Sequence, residues 1–121
     1  MRTLLVAGLG GFFGSICRYL LSLLPLPNQS GFPIVTLGVN ILGALLIGIL
    51  FGISARFTNI HADWFAFLQV GFCGGFTTFS TFALETTSLF GAGKGWLGVL
   101  YIAVSVLLGV AAVFAGKTLV S

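Results

Sequence analysis

Gly74-Gly75-Phe76-Thr77-Thr78-Phe79-Ser80-Thr81-Phe82 interrupts an apolar run extending from about residue 64 to residue 90. A straight helix of about 27 residues measures about 40 Å, more than the roughly 30 Å of a bilayer's hydrocarbon layer. The run therefore cannot be one simple helix. Adjacent glycines weaken a helix, and the hydroxyls of Thr77, Thr78, Ser80 and Thr81 are placed to bond backbone groups that a break sets free. Non-helical backbone persists at membrane depth only where protein or a water-filled site satisfies it. The stretch is expected to break the helix and to mark a binding or permeation site.

The rest of the chain supports a membrane setting. Of 121 residues, 58% are hydrophobic and 6% charged, whereas soluble domains carry about 25% charged residues. So few charges cannot cover the surface of so short a chain, which leaves lipid to do so. The net charge of +3 comes from five scattered basic residues with no basic cluster or aromatic interleaving, and nucleic-acid binding is not indicated. Cys17 and Cys73 lie inside apolar runs without metal-ligand spacing and read as small hydrophobes.

Four apolar runs, near 4–23, 33–55, 64–90 and 96–116, are long enough to cross the hydrocarbon layer, so the fold class is an all-α membrane protein, one four-helix domain over 1–121. The first run follows Arg2 as a signal peptide would, but it is too long and lacks a small-residue cleavage site, so it is expected to be retained. The breaks contain Pro25, Pro27, Asn28, Gln29 and Ser30, then Arg56, Asn59, His61 and Asp63, then Gly91, Gly93, Lys94 and Gly95. Short loops predict that sequential helices pack as neighbours. Arg2, Arg56 and Lys117 fall on one side, with Lys94 and Arg18 nearer the other. Such a small positive-charge bias permits insertion either way round, and dual insertion permits an antiparallel dimer. Gly10 and Gly14, Gly48 and Gly52, and Gly71 and Gly75 recur four apart. This spacing suits close helix packing, within one chain or between two.

Each polar residue in a span is a functional candidate. Arg18, toward the end of the first span, reads as an anchor that snorkels or pairs with a carbonyl. Asn40 lies well inside the second, where an unpaired amide costs on the order of several kcal/mol; an interhelical hydrogen bond and a donor lining a pathway both fit it. Carbonyls exposed by a broken helix are good ligands for a small hard cation such as sodium. Phe79 and Phe82 share a face of any helix resuming after the break, with Ser80 and Thr81 elsewhere. Their ring edges are positive and can meet an anion. Tyr101 and Ser105 share a face of the fourth span, placed to meet Asn40 or the hydroxyl ridge. Thr86, Thr87 and Ser88 would suit a wet vestibule, with Glu85 at its mouth and without an evident partner.

No carboxylate pair, no activated serine and only one histidine, His61, appear, so an enzyme is not expected. Uncharged donors around a break fit an anion that must be desolvated and then released. A proton-driven multidrug transporter of four spans would need a carboxylate deep in the first, and the first, second and fourth contain none. A purely structural protein would leave Asn40 and the hydroxyl-rich break unexplained.

The sequence resembles the Fluc, or CrcB-type, fluoride channels over essentially its whole length. Gly71-Phe72-Cys73-Gly74-Gly75-Phe76-Thr77-Thr78-Phe79-Ser80-Thr81-Phe82 looks like that family's third-span signature. Gly10-Gly11-Phe12-Phe13-Gly14 leading to Arg18-Tyr19, and Thr36-Leu37-Gly38-Val39-Asn40-Ile41-Leu42-Gly43, support it in order. Ser15, Val35 and Leu45 depart from the residues usual there, and Gly109 replaces a serine that some members carry. The resemblance implies an antiparallel homodimer in the cell inner (plasma) membrane. Its two pores would pass fluoride but not chloride, letting cytoplasmic fluoride leak out passively and conferring fluoride resistance. It also implies that Phe79, Phe82 and Asn40 contact fluoride, that Ser80 and Thr81 form a polar track, and that Tyr101 and Ser105 line the pore. Glu85 would lie at a vestibule, and carbonyls of Gly74 and Thr77 from both subunits would hold a central structural Na+.

Overall fold

The computed structural model describes residues 1–26 and 30–121; Pro27, Asn28 and Gln29 of the first predicted break lie outside the described residues. Among the described residues every regular element is helical. Four segments are long and apolar enough to cross a membrane: Arg2–Ser22, Ile34–Arg56, Ala62–Gly91 and Gly95–Leu119. They match the expected spans to within a few residues, as helix ends do. The first is helix α1 (Arg2–Ser22), the second α2 (Ile34–Arg56) and the last α6 (Gly95–Leu119).

The third span is composite. A short α3 (Ala62–Phe65) leads into a π-helical segment, Ala66–Cys73, then one α-helical turn, α4 (Gly74–Phe76), an extended break, and α5 (Ser80–Gly91). The break is thus not at the glycines. Gly74 and Gly75 remain helical, and the chain leaves the helix at Thr77, whose ψ is 158°. The long π-helical stretch had no sequence signal beyond a span too long to be straight.

Loop chemistry fixes the ends. His61 caps α3, its Nδ1 accepting from the Asp63 N–H at 3.1 Å, and Arg2 Nε pairs with Asp63 Oδ2 at 2.9 Å, joining the start of α1 to the start of the third span. α5 closes in a Schellman turn: Lys94 N–H reaches Leu89 O at 2.9 Å and Gly93 N–H reaches Phe90 O at 3.2 Å. Gly93 adopts φ +76° there, a left-handed conformation that a side chain would strain.

The packing departs from the expectation of sequential neighbours at the first pair, while the third and fourth spans do pack, α5 against α6. α1 lies along the first half of the third span, and α2 along α6, while α1 and α2 barely touch. The glycines explain the partnering. Side chains at Gly10 and Gly14 would run into the carbonyls of Phe67 and Phe72, and one at Gly75 would come within 2.6 Å of Gly11 O. On the other pair, Gly48 sits against Val113 O and Gly116 against Leu45 O. Small residues at these positions let backbones touch in lipid, where dispersion rather than water exclusion drives packing. The glycine repeats are therefore spent within the chain. Gly75→Ala is expected to lose about 1–3 kcal/mol by overpacking, seen as a lower unfolding midpoint in detergent. Gly8→Ala, whose added carbon meets nothing within 4 Å, should show no loss.

A small core of Leu37, Leu89, Leu97 and Tyr101, with Phe32, Ile41, Phe82 and Val104 against it, ties α5 to α2 and α6. Cys73 is fully buried and Cys17 partly so, both as free thiols.

Candidate ion site at the broken helix

A helix interrupted at Thr77 leaves several backbone groups without their usual partners four residues away. Two side chains from neighbouring helices take up part of the deficit. Arg18 Nε donates to Gly75 O at 3.0 Å, so the arginine is held by a carbonyl of the break. Asn40 grips Thr78 at both ends: Oδ1 accepts from the Thr78 N–H at 2.8 Å, and Nδ2 donates to Thr78 O at 3.0 Å. Only one amide orientation satisfies both, which fixes Oδ1 and Nδ2. The two readings of Asn40 merge here. It makes the interhelical bonds, and these use only one of the two Nδ2 hydrogens.

The same bonds set two carbonyls free. In a continuous helix Gly74 O would receive the Thr78 N–H, which goes instead to Asn40. Thr77 O would receive the Thr81 N–H, which goes to Thr78 Oγ1 at 3.2 Å. A side chain at Gly74 would meet nothing within 4 Å, so this edge of the break is open. The donor chemistry of Gly74 and Thr77 therefore fits a hard cation such as Na+, two carbonyls being fewer than such an ion requires.

Beside the break lies a cavity of about 390 Å³ between α2 and α6, lined by Asn40, Thr78, Phe79, Phe82 and Ser105 among others. The Ser105 Oγ is buried and, among the described residues, has no hydrogen-bond partner. A buried hydroxyl in that state requires an explanation. Thr78 Oγ1 accepts from Thr81 and keeps its own hydrogen for donation. Phe79 and Phe82 flank this donor set with ring centroids 5.7 Å apart. Phe79 is 79% exposed, and Ser80 is exposed as well. No acidic or basic residue lines the cavity.

Thr81 lies on another face, in a cavity of about 60 Å³ with Arg18, Thr36 and Thr78. The polar residues after the break thus divide between two sides of the helix.

The structure corrects other site expectations. Glu85 does have a partner: Tyr101 Oη donates to Glu85 Oε1 at 3.2 Å. Tyr101 is fully buried, its ring lies 4.9 Å from that of Phe82, and it is not among the residues that line the central cavity. Only Ser105 joins Asn40. The hydroxyls of Thr86, Thr87 and Ser88 donate back to Phe82 O, Leu84 O and Leu84 O at 2.8, 2.7 and 3.0 Å, and Ser88 borders a cavity of about 310 Å³ with Glu85 and Lys94. A hydroxyl within one turn of a free-standing carbonyl takes it by default.

A family model described as "CrcB-like protein, Camphor Resistance (CrcB)" matches residues 5–117, which takes in the break and all but the outermost residues of the first and fourth spans. The chain belongs to this family. Among its relatives, a protein of Chlorobaculum tepidum named fluoride-specific ion channel FluC is 41% identical over 119 residues, 98% of this chain and 94% of its own length. A FluC of Ruminiclostridium cellulolyticum is 44% identical over 120 residues, 98% of this chain and 92% of its own. One of Leptospira interrogans is 44% identical over 117 residues, covering 95% and 91% respectively. The CrcB-like chain is thus similar over nearly its full length to proteins named fluoride-specific ion channels, a class without enzymatic turnover.

Proposed function

We propose that this chain is a fluoride-selective channel that works as an antiparallel homodimer with two pores, letting fluoride leave the cytoplasm passively across the inner membrane. The observation that carries the reading is the donor set around the break. The unpartnered Ser105 hydroxyl, the Asn40 amide with its spare N–H, and two phenylalanine rings border one cavity whose lining carries no formal charge. The names of the relatives supply the ion.

Fluoride is small and strongly hydrated, so a pathway must replace its water with donors already in place. Neutral hydroxyl and amide hydrogens do so without holding the anion as tightly as an ammonium would, and conduction requires that release. Phe79 and Phe82 present positive ring edges, adding attraction that discriminates by size. Ser80 extends the hydroxyls along the start of α5, while Thr81 faces the separate cavity beside Arg18. Glu85 stands at the vestibule, hydrogen-bonded to Tyr101, which holds Phe82 in position.

A second copy supplies what one chain lacks. Open carbonyls and an exposed serine cannot face hydrocarbon, and the exposed Phe79 lies next to them. Opposed insertion of two copies, permitted by the weak charge bias, would pair the breaks. Gly74 and Thr77 of each copy would then contribute carbonyls to a shared Na+, whose charge would offset the helix dipoles at the breaks and hold the interface together. Replacing sodium with N-methyl-glucamine throughout purification is expected to lower the dimer's thermal midpoint by several degrees. An unchanged midpoint would remove the ion from the account.

A bacterial strain deprived of its own fluoride exporter tests the reading in cells. Expression of this chain is expected to restore growth in millimolar fluoride, and failure despite normal membrane insertion would contradict it.

A further inference from the structure

The groove beside Asn40 does not end at the break. On α2, Asn40, Ala44, Ile47, Phe51 and Ala55 follow one another at three- and four-residue spacing. On α6, Ser105, Gly109, Val113 and Lys117 stand four apart. Each series is one helix face, and α2 and α6 pack along their length. The central cavity takes in Asn40, Ala44, Ile47, Ser105 and Val113. A second cavity of about 540 Å³ continues the same faces at the helix ends, bordered by Phe51, Ala55, Arg56 and Lys117.

Both cations there are held in place without being neutralised. Lys117 Nζ lies 4.4 Å from the centre of the Phe51 ring and 5.8 Å from that of Phe114. Arg56 donates to Val120 O at 3.3 Å and rests over Phe57 at 5.7 Å. Among the described residues neither has a carboxylate within 4 Å. Arg2 on the same side contrasts with them, since Asp63 cancels its charge.

We infer that Lys117 and Arg56 form an electropositive mouth at the end of the α2–α6 groove, which gathers small anions and feeds them toward Ser105 and Asn40. The inference rests on the proposed channel function and adds to it a capture site on this chain. A charged rim at a narrow entrance raises the local anion concentration and hence the entry rate. In water a unit charge about 6 Å away does so by about threefold, and two charges by about tenfold. The effect belongs to entry, so it governs flux at low fluoride and vanishes once entry is saturated. Added salt shortens the Debye length from about 30 Å at 0.01 M to about 10 Å at 0.1 M, and weakens it.

Fluoride efflux from phosphatidylcholine vesicles, which carry no net lipid charge, tests this at low and saturating fluoride. The double variant Lys117→Gln/Arg56→Gln is expected to lose about tenfold in rate at low fluoride and low salt, to keep the saturating rate, and to lose most of the salt dependence. Lys117→Arg should behave as the unaltered protein. Arg2→Gln removes one positive charge on the same side but off the groove, and should leave both rates unchanged. Equal low-fluoride rates in the double variant and the unaltered protein would overturn the mouth. So would an equal loss at saturation, which marks a structural role, or an equal loss in Arg2→Gln, which marks general surface charge. Reduced retention of phosphatidylglycerol in the double variant with unchanged flux would assign the cavity to a lipid headgroup instead. Absence of fluoride efflux in the unaltered protein would refute the channel reading itself, an outcome separate from these.

Discussion

Phe79→Ile is expected to cut fluoride flux by at least about tenfold while leaving the folded chain as stable as before. Isoleucine keeps most of the apolar bulk but removes the ring and its positive edge, and a loss of about 1.4 kcal/mol at the highest barrier is a factor of ten in rate. Stability should hold because Phe79 is 79% exposed within the chain. Phe82→Ile should slow flux as much, with an added cost. Its ring packs 4.9 Å from that of the fully buried Tyr101, so the smaller side chain leaves a gap there and loses about 1 kcal/mol or more. Flux through reconstituted vesicles and the detergent unfolding midpoint separate the two effects. Normal flux in both variants would reject the aromatic role.

Asn40→Asp is expected to bring flux to background. The amide holds Thr78 through a donor and an acceptor. A carboxylate keeps the bond from the Thr78 N–H but sets an oxygen against Thr78 O, where the donor had been. It also places a negative charge beside the cavity through which an anion must pass, and like charges repel strongly where little water screens them. Disruption of the break and repulsion of the ion act in the same direction. Wild-type flux in Asn40→Asp would show that the residue is structural only and that the path lies elsewhere.

The four spans were legible because lipid imposes a simple test of length and polarity, and each apolar run passed it. The break was legible for a related reason: a span with four hydroxylated residues near its middle has no other economical explanation in hydrocarbon. Its exact position was not. Gly74 and Gly75 looked like the helix breakers, yet Gly75 is required as glycine by the Gly11 carbonyl lying against it, a contact 64 residues distant in sequence. The chain leaves the helix only where Asn40 and Thr78 Oγ1 offer backbone N–H groups a competing acceptor.

Helix partnering was misread for the same physical reason. Loop length limits which helices lie near each other, but close approach in lipid is decided by which faces lack side chains, and the glycines of α1 match those of the third span. Periodicity correctly put Tyr101 and Ser105 on one face of α6, but it carried no information on depth. One turn separates a phenol bound to Glu85 from a hydroxyl left facing the cavity. The π-helical segment Ala66–Cys73 follows from no rule of composition.

The central claim is that the uncharged donors around the break pass fluoride. Purified protein in liposomes loaded with equal fluoride and chloride, with efflux followed by ion-selective electrodes, tests it most directly. The account predicts rapid loss of fluoride with chloride retained, abolished by Asn40→Asp. Vesicles that keep their fluoride, or release both halides together, would contradict it.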